Sequence, residues 1–257
     1  MNYLQAVILS VVEGISEFLP VSSTGHLILT GFILRIPQTE FVKSFEIFIQ
    51  LGAVFSIVFL YKDTIFKKFT VWKKVLAAFI PTAVVGLMLY KMIKYYLLGN
   101  SIVTVAALFI GGIIFIIIEK IYQKKKAEIV SIETLSYPKA ILVGLIQSLS
   151  VIPGVSRSGA TIFGSMMLGV SREAAVEMSF WLAIPTMLAA TGLDLVKSGF
   201  QLSLNEYSLL IVGFIGSFIT AFFTAKFLLN FIKKNNFIPF GIYRIVLAIL
   251  FWIVFFR

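Results

Sequence analysis

The chain has no cysteine and a single histidine, and charged residues fill only 13% of its 257 positions. Without cysteine there are no disulfides, thiolate metal sites or cysteine nucleophiles. So little charge, set against 59% hydrophobic residues and a mean hydropathy of +1.00, excludes an ordinary soluble domain. The apolar runs do not alternate with polar residues, which a transmembrane barrel would require. The first dozen residues carry neither a basic leader nor a small-residue cleavage site, so a removable signal peptide is not expected. Low-complexity tracts are missing too.

What the chain does have is long hydrocarbon runs, such as 102–118 and 242–256, and 26 phenylalanines. These predict an all-α, polytopic integral membrane protein. Spans are expected near 42–61, 75–92, 102–122, 173–196, 207–229 and 240–256, about six in all. Segments 2–36 and 138–170 are broken midway by Pro, Gly and Ser, and their apolar arms are too short to cross. They read as two re-entrant helix hairpins, whose irregular backbone must be satisfied by protein or a wet cavity. Each half is then one broken hairpin plus three spans: repeats of about 1–122 and 137–257, joined by a polar linker at 123–136. Three is odd, so the second half is expected inverted relative to the first.

The net charge of +10 does not point to nucleic acid, because the lysines cluster in short loops between apolar spans. One set of loops holds Lys62, Lys67, Lys68, Lys73, Lys74, Lys120, Lys124, Lys125, Lys126, Lys139, Lys226, Lys233 and Lys234. The opposite set holds little beyond Lys91, Lys94 and Lys197. The positive-inside rule puts the first set in the cytoplasm, with both termini and the first hairpin outside.

Polar groups concentrate at the two breaks. Residues 13–26 read Glu-Gly-Ile-Ser-Glu-Phe-Leu-Pro-Val-Ser-Ser-Thr-Gly-His, and a diluted copy follows 134 residues later, from Gln147 to Thr161. At that offset Glu13 falls on Gln147, Ser22 on Ser156, Ser23 on Arg157, Thr24 on Ser158 and Gly25 on Gly159. Ionisable groups at membrane depth mark function by default, and matched breaks in two halves predict one composite site at their interface. Glu13 and Glu17, four apart, share a helical face; side by side in a low dielectric they favour a hard cation between them, Mg²⁺ or Ca²⁺. A new helix beginning near Ser23 can offer free N–H groups and hydroxyls to an anion, although simple capping by Ser or Thr has the same pattern. His26, three residues after Ser23, can reach that hydroxyl as general base. Arg157 suits bidentate phosphate recognition or an internal salt bridge to Glu17, and the two can coexist. Glu46 and Gln50, four apart, and Gln147 in the place of Glu13, are read as lining the cavity behind these groups.

Glu-Gly-x-x-Glu-Phe-Leu-Pro-Val-Ser-Ser-Thr-Gly-His at 13–26 and Pro-Gly-x-Ser-Arg-Ser-Gly-Ala-Thr at 153–161 resemble the two signature motifs of the bacitracin-resistance type undecaprenyl-diphosphate phosphatases. Phe45-Glu46 and Gln50-Leu51-Gly52 add to the likeness, which extends over the whole chain. The resemblance implies an integral hydrolase of the bacterial inner membrane that removes the terminal phosphate of a polyprenyl diphosphate and so recycles the lipid carrier of cell-wall synthesis. It also implies a site open to the extracytoplasmic side, a divalent cation, Mg²⁺ or Ca²⁺, and, as in some members, a homodimer. By position, Glu13 and Glu17 would be the essential acids, Ser23 and His26 the nucleophile and base, and Arg157 the diphosphate clamp. Ser22, Thr24, Ser156 and Thr161 would line the phosphate pocket. Two other readings stand beside it. An acid-phosphatase-like lipid phosphatase needs a second histidine, which the chain lacks. A flippase or secondary transporter would share inverted repeats and broken helices. Covalent attack by serine and direct attack by water are both open at this point.

Overall fold

Apolar runs of this length in a membrane leave the backbone one economical solution, the helix, which satisfies its own N–H and C=O groups. A computed structural model describes residues 1–89, 92, 97, 100–123, 127–198 and 202–255, without the side chains of 197, 198 and 255. Among these residues the only β pairing is an isolated bridge between Ile129 and Val170. The helices are α1 (Tyr3–Ser16), α2 (Ser23–Ile33), α3 (Glu40–Leu60), a single turn α4 (Lys62–Ile65), α5 (Phe69–Met88) and α6 (Ser101–Tyr122). After a 3-10 turn at Ile132–Thr134 come α7 (Tyr137–Gln147), α8 (Arg157–Met167), α9 (Arg172–Ser198), α10 (Leu204–Ile232) and α11 (Ile238–Phe255). Lys91, Lys94, Lys124, Lys125 and Lys126 lie outside the described residues, and so does the Lys197 side chain.

Among the described residues, five helices are long and apolar enough to cross a membrane: Glu40–Leu60, Phe69–Met88, Ser101–Tyr122, Arg172–Val196 and Leu204–Ile232. The expected sixth span is α11, apolar but shorter, with 18 residues. At 1.5 Å per residue it reaches about 27 Å, slightly less than the hydrocarbon thickness. Outward-facing residues such as Leu76, Ile80, Ile215, Ile219 and Phe223 are exposed, as a lipid-bathed surface requires. The protein is multi-pass and membrane-embedded. Helix α5 begins earlier than expected because Lys73 and Lys74 belong to it. They lie over the Phe69 and Tyr137 rings, at 4.9 and 3.5 Å from the centroids, instead of standing in a loop.

The backbone repeats itself at the offset of the motif. Helices α2 and α8 both have 11 residues, and their N-cap residues Ser22 and Ser156 take left-handed φ angles of 74° and 78°. Each cap hydroxyl accepts from the third residue inside its helix, Gly25 or Gly159. Just past the far ends, Arg35 and Gly169 also have positive φ, and they too are 134 residues apart. Packing follows the same rule. Arm α1 lies on α10 and arm α7 on α5, while α3 pairs with α9 and α6 with α11. The short arms sit very close to their partners. A Cβ added at Gly14 would lie 2.6 Å from Thr220 Cβ, and one at Gly144 would lie 1.9 Å from the Ala78 carbonyl oxygen. Small residues at these crossings replace the hydrophobic driving force that lipid cannot supply.

Candidate active site

Pro20 stops α1 from running on into α2, so residues 17–22 turn and deliver Glu17 and Ser23 to the same buried place. Ser23 Oγ donates to Glu17 Oε2 at 2.5 Å. The other oxygen of Glu17, Oε1, accepts from Arg157 Nη2 at 2.8 Å, with both side chains over nine-tenths buried. Arg157 comes from the opposite hairpin, as the first residue of α8. Its Nη1 donates to the Ser179 carbonyl at 2.8 Å, and its Nε is buried without a partner. Ser158 adds a second clasp, donating to the Leu19 carbonyl at 2.8 Å. The two breaks therefore meet, and the salt bridge read as one option for Arg157 is formed.

One turn before Glu17, Glu13 is fully buried with both carboxylate oxygens unpartnered. Two orphaned hard oxygens in a dry place are what a divalent cation would satisfy. Among the described residues no group of three or more His, Asp or Glu gathers around a common point. Glu17 is already engaged by Ser23 and Arg157. Of the pair expected from the spacing, only Glu13 has both oxygens free of a partner.

The Ser23–His26 pair expected from spacing is not formed, a correction. His26 Nδ1 lies 2.7 Å from the Ser22 carbonyl and Nε2 lies 2.7 Å from the Tyr243 hydroxyl. A carbonyl only accepts, so Nδ1 carries a proton, and in the neutral ring Nε2 then accepts from the tyrosine hydroxyl. His26 braces the strained Ser22 cap, and the group at Ser23 is Glu17. The anticipated phosphate ligands are largely committed elsewhere. Ser22 and Ser156 cap their helices. Thr161 is fully buried and donates to Gln147 Oε1 at 2.8 Å. Gln147 is likewise sealed, and neither it nor Thr161 lines an open pocket. Thr24 and Gln50 are half-buried, and Glu46 has one buried oxygen, Oε1, without a partner. A cavity of about 330 Å³ lined by Tyr61, Asp63, Lys68, Glu177 and Trp181 lies elsewhere and holds none of the expected site residues.

The sequence profile described as Bacitracin resistance protein BacA matches residues 6–250. The chain belongs to the BacA family. It is 51% identical to a protein named undecaprenyl-diphosphatase in Aquifex aeolicus, over 98% of both chains. It is 50% identical to one of the same name in Sulfurihydrogenibium sp., over 98% of this chain and 99% of that one. A third, from Methanococcus aeolicus, is 42% identical over the whole of both.

Two residues of this BacA-family chain escaped the sequence reading. Arg244 is fully buried in α11 and, among the described residues, has no carboxylate partner. Instead it donates to five carbonyls: Ala107 and Leu108 of α6, Pro20 of the first break, and Gly154 and Val155 of the second. It holds both tips together, its charge met by those carbonyl dipoles and by the Phe115 ring, whose centroid is 4.6 Å from Cζ. Tyr243, its neighbour, is the partner of His26. The signal for Arg244 was present: an arginine inside an apolar run is rare enough to mark function.

Proposed function

We propose that this chain hydrolyses undecaprenyl diphosphate to undecaprenyl phosphate and inorganic phosphate, with Ser23 as nucleophile and Glu17 as its base. The observation that carries the mechanism is the 2.5 Å bond from the Ser23 hydroxyl to Glu17, at the point where Arg157 arrives from the other hairpin. The names of the relatives support the substrate. Phosphoryl transfer needs an in-line nucleophile and neutralised oxygens. Ser23 Oγ would attack the terminal phosphorus as its proton passes to Glu17 Oε2, and the anhydride P–O bond would break to release the lipid monophosphate. Glu17 would pass that proton to the departing lipid phosphate; water would then attack the phosphoserine as its proton goes to Glu17, which returns it to the Ser23 oxygen as phosphate leaves. As Ser23 reacts, Arg157 would exchange its bond with Glu17 for the diphosphate oxygens, helped by its unpartnered Nε.

Glu13 would hold a divalent cation, Mg²⁺ or Ca²⁺, together with oxygens of the bound substrate. When bound, such a cation neutralises charge on the diphosphate. The reading places the chain in the bacterial inner membrane with the site and both termini on the extracytoplasmic side, as the lysine-rich loops support. A second copy of the chain is the one protein partner proposed. The flippase reading draws on architecture alone, which does not fix function. The deciding experiment is phosphate release from undecaprenyl diphosphate by the purified chain in detergent, with and without EDTA, followed by mass spectrometry of Ser23 after rapid quenching. Release that is abolished by EDTA, with phosphate on Ser23, is expected. Release that persists fully in Ser23→Ala would overturn the serine route.

A further inference from the structure

The place of Glu13 in the second repeat is held by Gln147, and the two could hardly be more different in company. Glu13 is orphaned, whereas every polar atom of the Gln147 side chain that the structure engages is satisfied from another helix. Its amide Nε2 donates to Thr82 Oγ1 at 3.0 Å and to Thr186 Oγ1 at 3.4 Å. Its Oε1 accepts from Thr161 Oγ1 at 2.8 Å. Thr82 and Thr186 occur in the same tripeptide, Ile-Pro-Thr, at 80–82 in α5 and 184–186 in α9. A proline inside a helix deprives the carbonyl four residues earlier of its donor and bends the rod. Two spans, each with a proline inside it, thus converge on one buried amide.

The fourth member of the cluster leads back to the active site. Thr161 lies one turn after Arg157 on α8, and its hydroxyl is 3.0 Å from the Arg157 carbonyl. The guanidinium itself rests on the Ser179 carbonyl of α9, the helix that Thr186 fixes to Gln147. Both the root and the head of Arg157 are therefore referred to Gln147. A buried network with all its members satisfied specifies one arrangement and resists the alternatives. We propose that Gln147 is a positioning residue for Arg157, fixing the angle at which the guanidinium reaches the diphosphate by tying two proline-containing helices to α8 one turn after Arg157. The proposal rests on the phosphatase reading above for its kinetic consequence, but not for its structural one.

The test uses the full chain in detergent. Gln147→Met keeps length and removes the amide, so it should raise KM for undecaprenyl diphosphate about tenfold and leave kcat within about threefold, as loss of uniform binding does. Thr161→Val should act in the same direction, and Thr161→Ser, which returns the hydroxyl, should restore KM. In an Arg157→Lys background Gln147→Met should add little further loss, because contacts that act through one another are not additive. A second readout is independent of turnover. With no native cysteine, the disulfide yield of a Leu19→Cys, Ser158→Cys pair reports where the start of α8 stands, and Gln147→Met should lower it at equal folded fraction. An unchanged KM in folded Gln147→Met, or full additivity with Arg157→Lys, would overturn the proposal. If Gln147→Met does not fold, the contrast between Val and Ser at Thr161 decides it in the same way. If the wild-type chain releases no phosphate, the phosphatase reading fails, while an unchanged disulfide yield would separately sink the positioning role.

Discussion

At the scale of single residues, the chemistry turns on which group takes the proton from Ser23. In the proposed mechanism that group is Glu17, which accepts from the Ser23 hydroxyl at 2.5 Å, while His26 braces Ser22 against Tyr243. Ser23→Ala and Glu17→Gln should each reduce turnover by about a thousandfold or more, and the double variant should be little worse, since parts of one unit fail together. His26→Ala and Tyr243→Phe should cost about tenfold or less, measured as kcat on the same substrate. A loss at His26 equal to that at Ser23 would restore the imidazole as base. The misreading has a physical origin. Spacing of three residues puts side chains on one helical face, but Ser22 enters with φ of 74°, and the ring turns back to the carbonyl it caps. Arg244 was missed for a different reason: an averaged apolar run hides one charged residue, and five scattered carbonyl partners leave no pattern in sequence. Arg244→Met should leave those carbonyls unpaired and destabilise the chain by on the order of 3 kcal/mol, read as thermal unfolding in detergent. A melting temperature within one degree of wild type would contradict that role.

At the scale of elements, the breaks were legible and the crossings were not. Pro20, Pro153 and the serines that follow announce a stop and a restart, and the helices α2 and α8 begin where those residues say they should. Nothing local announces that Gly144 must meet Ala78, because that contact lies between helices brought together only by the fold. The same is true of Thr82 and Thr186, whose shared partner is distant in sequence from both. Gly144→Leu should therefore be far worse than the same change at Gly86, where an added Cβ meets nothing within 4 Å. Overpacking a close crossing costs roughly 1–3 kcal/mol or more. The comparison is made by yield of folded protein after membrane extraction, and equal yields would show that α5 and α7 can part without cost.

At the scale of the whole molecule, the repeat makes a commitment about sides that no single helix makes. Identical backbone devices recur at one offset: two left-handed serine caps and two positive-φ exits. The packing pairs exchange in the same way between halves. If each half holds one re-entrant hairpin and three spans, the halves are inverted and the two breaks enter from opposite faces, meeting where Arg157 reaches Glu17. The lysine-rich loops then sit on the side away from the first hairpin. In intact cells, a membrane-impermeant thiol reagent added outside should label Thr24→Cys, which is half-buried near the first break, and should not label a cysteine at the exposed Lys67. After the cells are broken open, Lys67→Cys should label as well, which separates a protected site from an unreactive one. Labelling at Lys67 alone from outside would reverse the orientation. Labelling of both positions from outside would remove the inversion itself, and with it the argument that a single composite site is built from one end of each half.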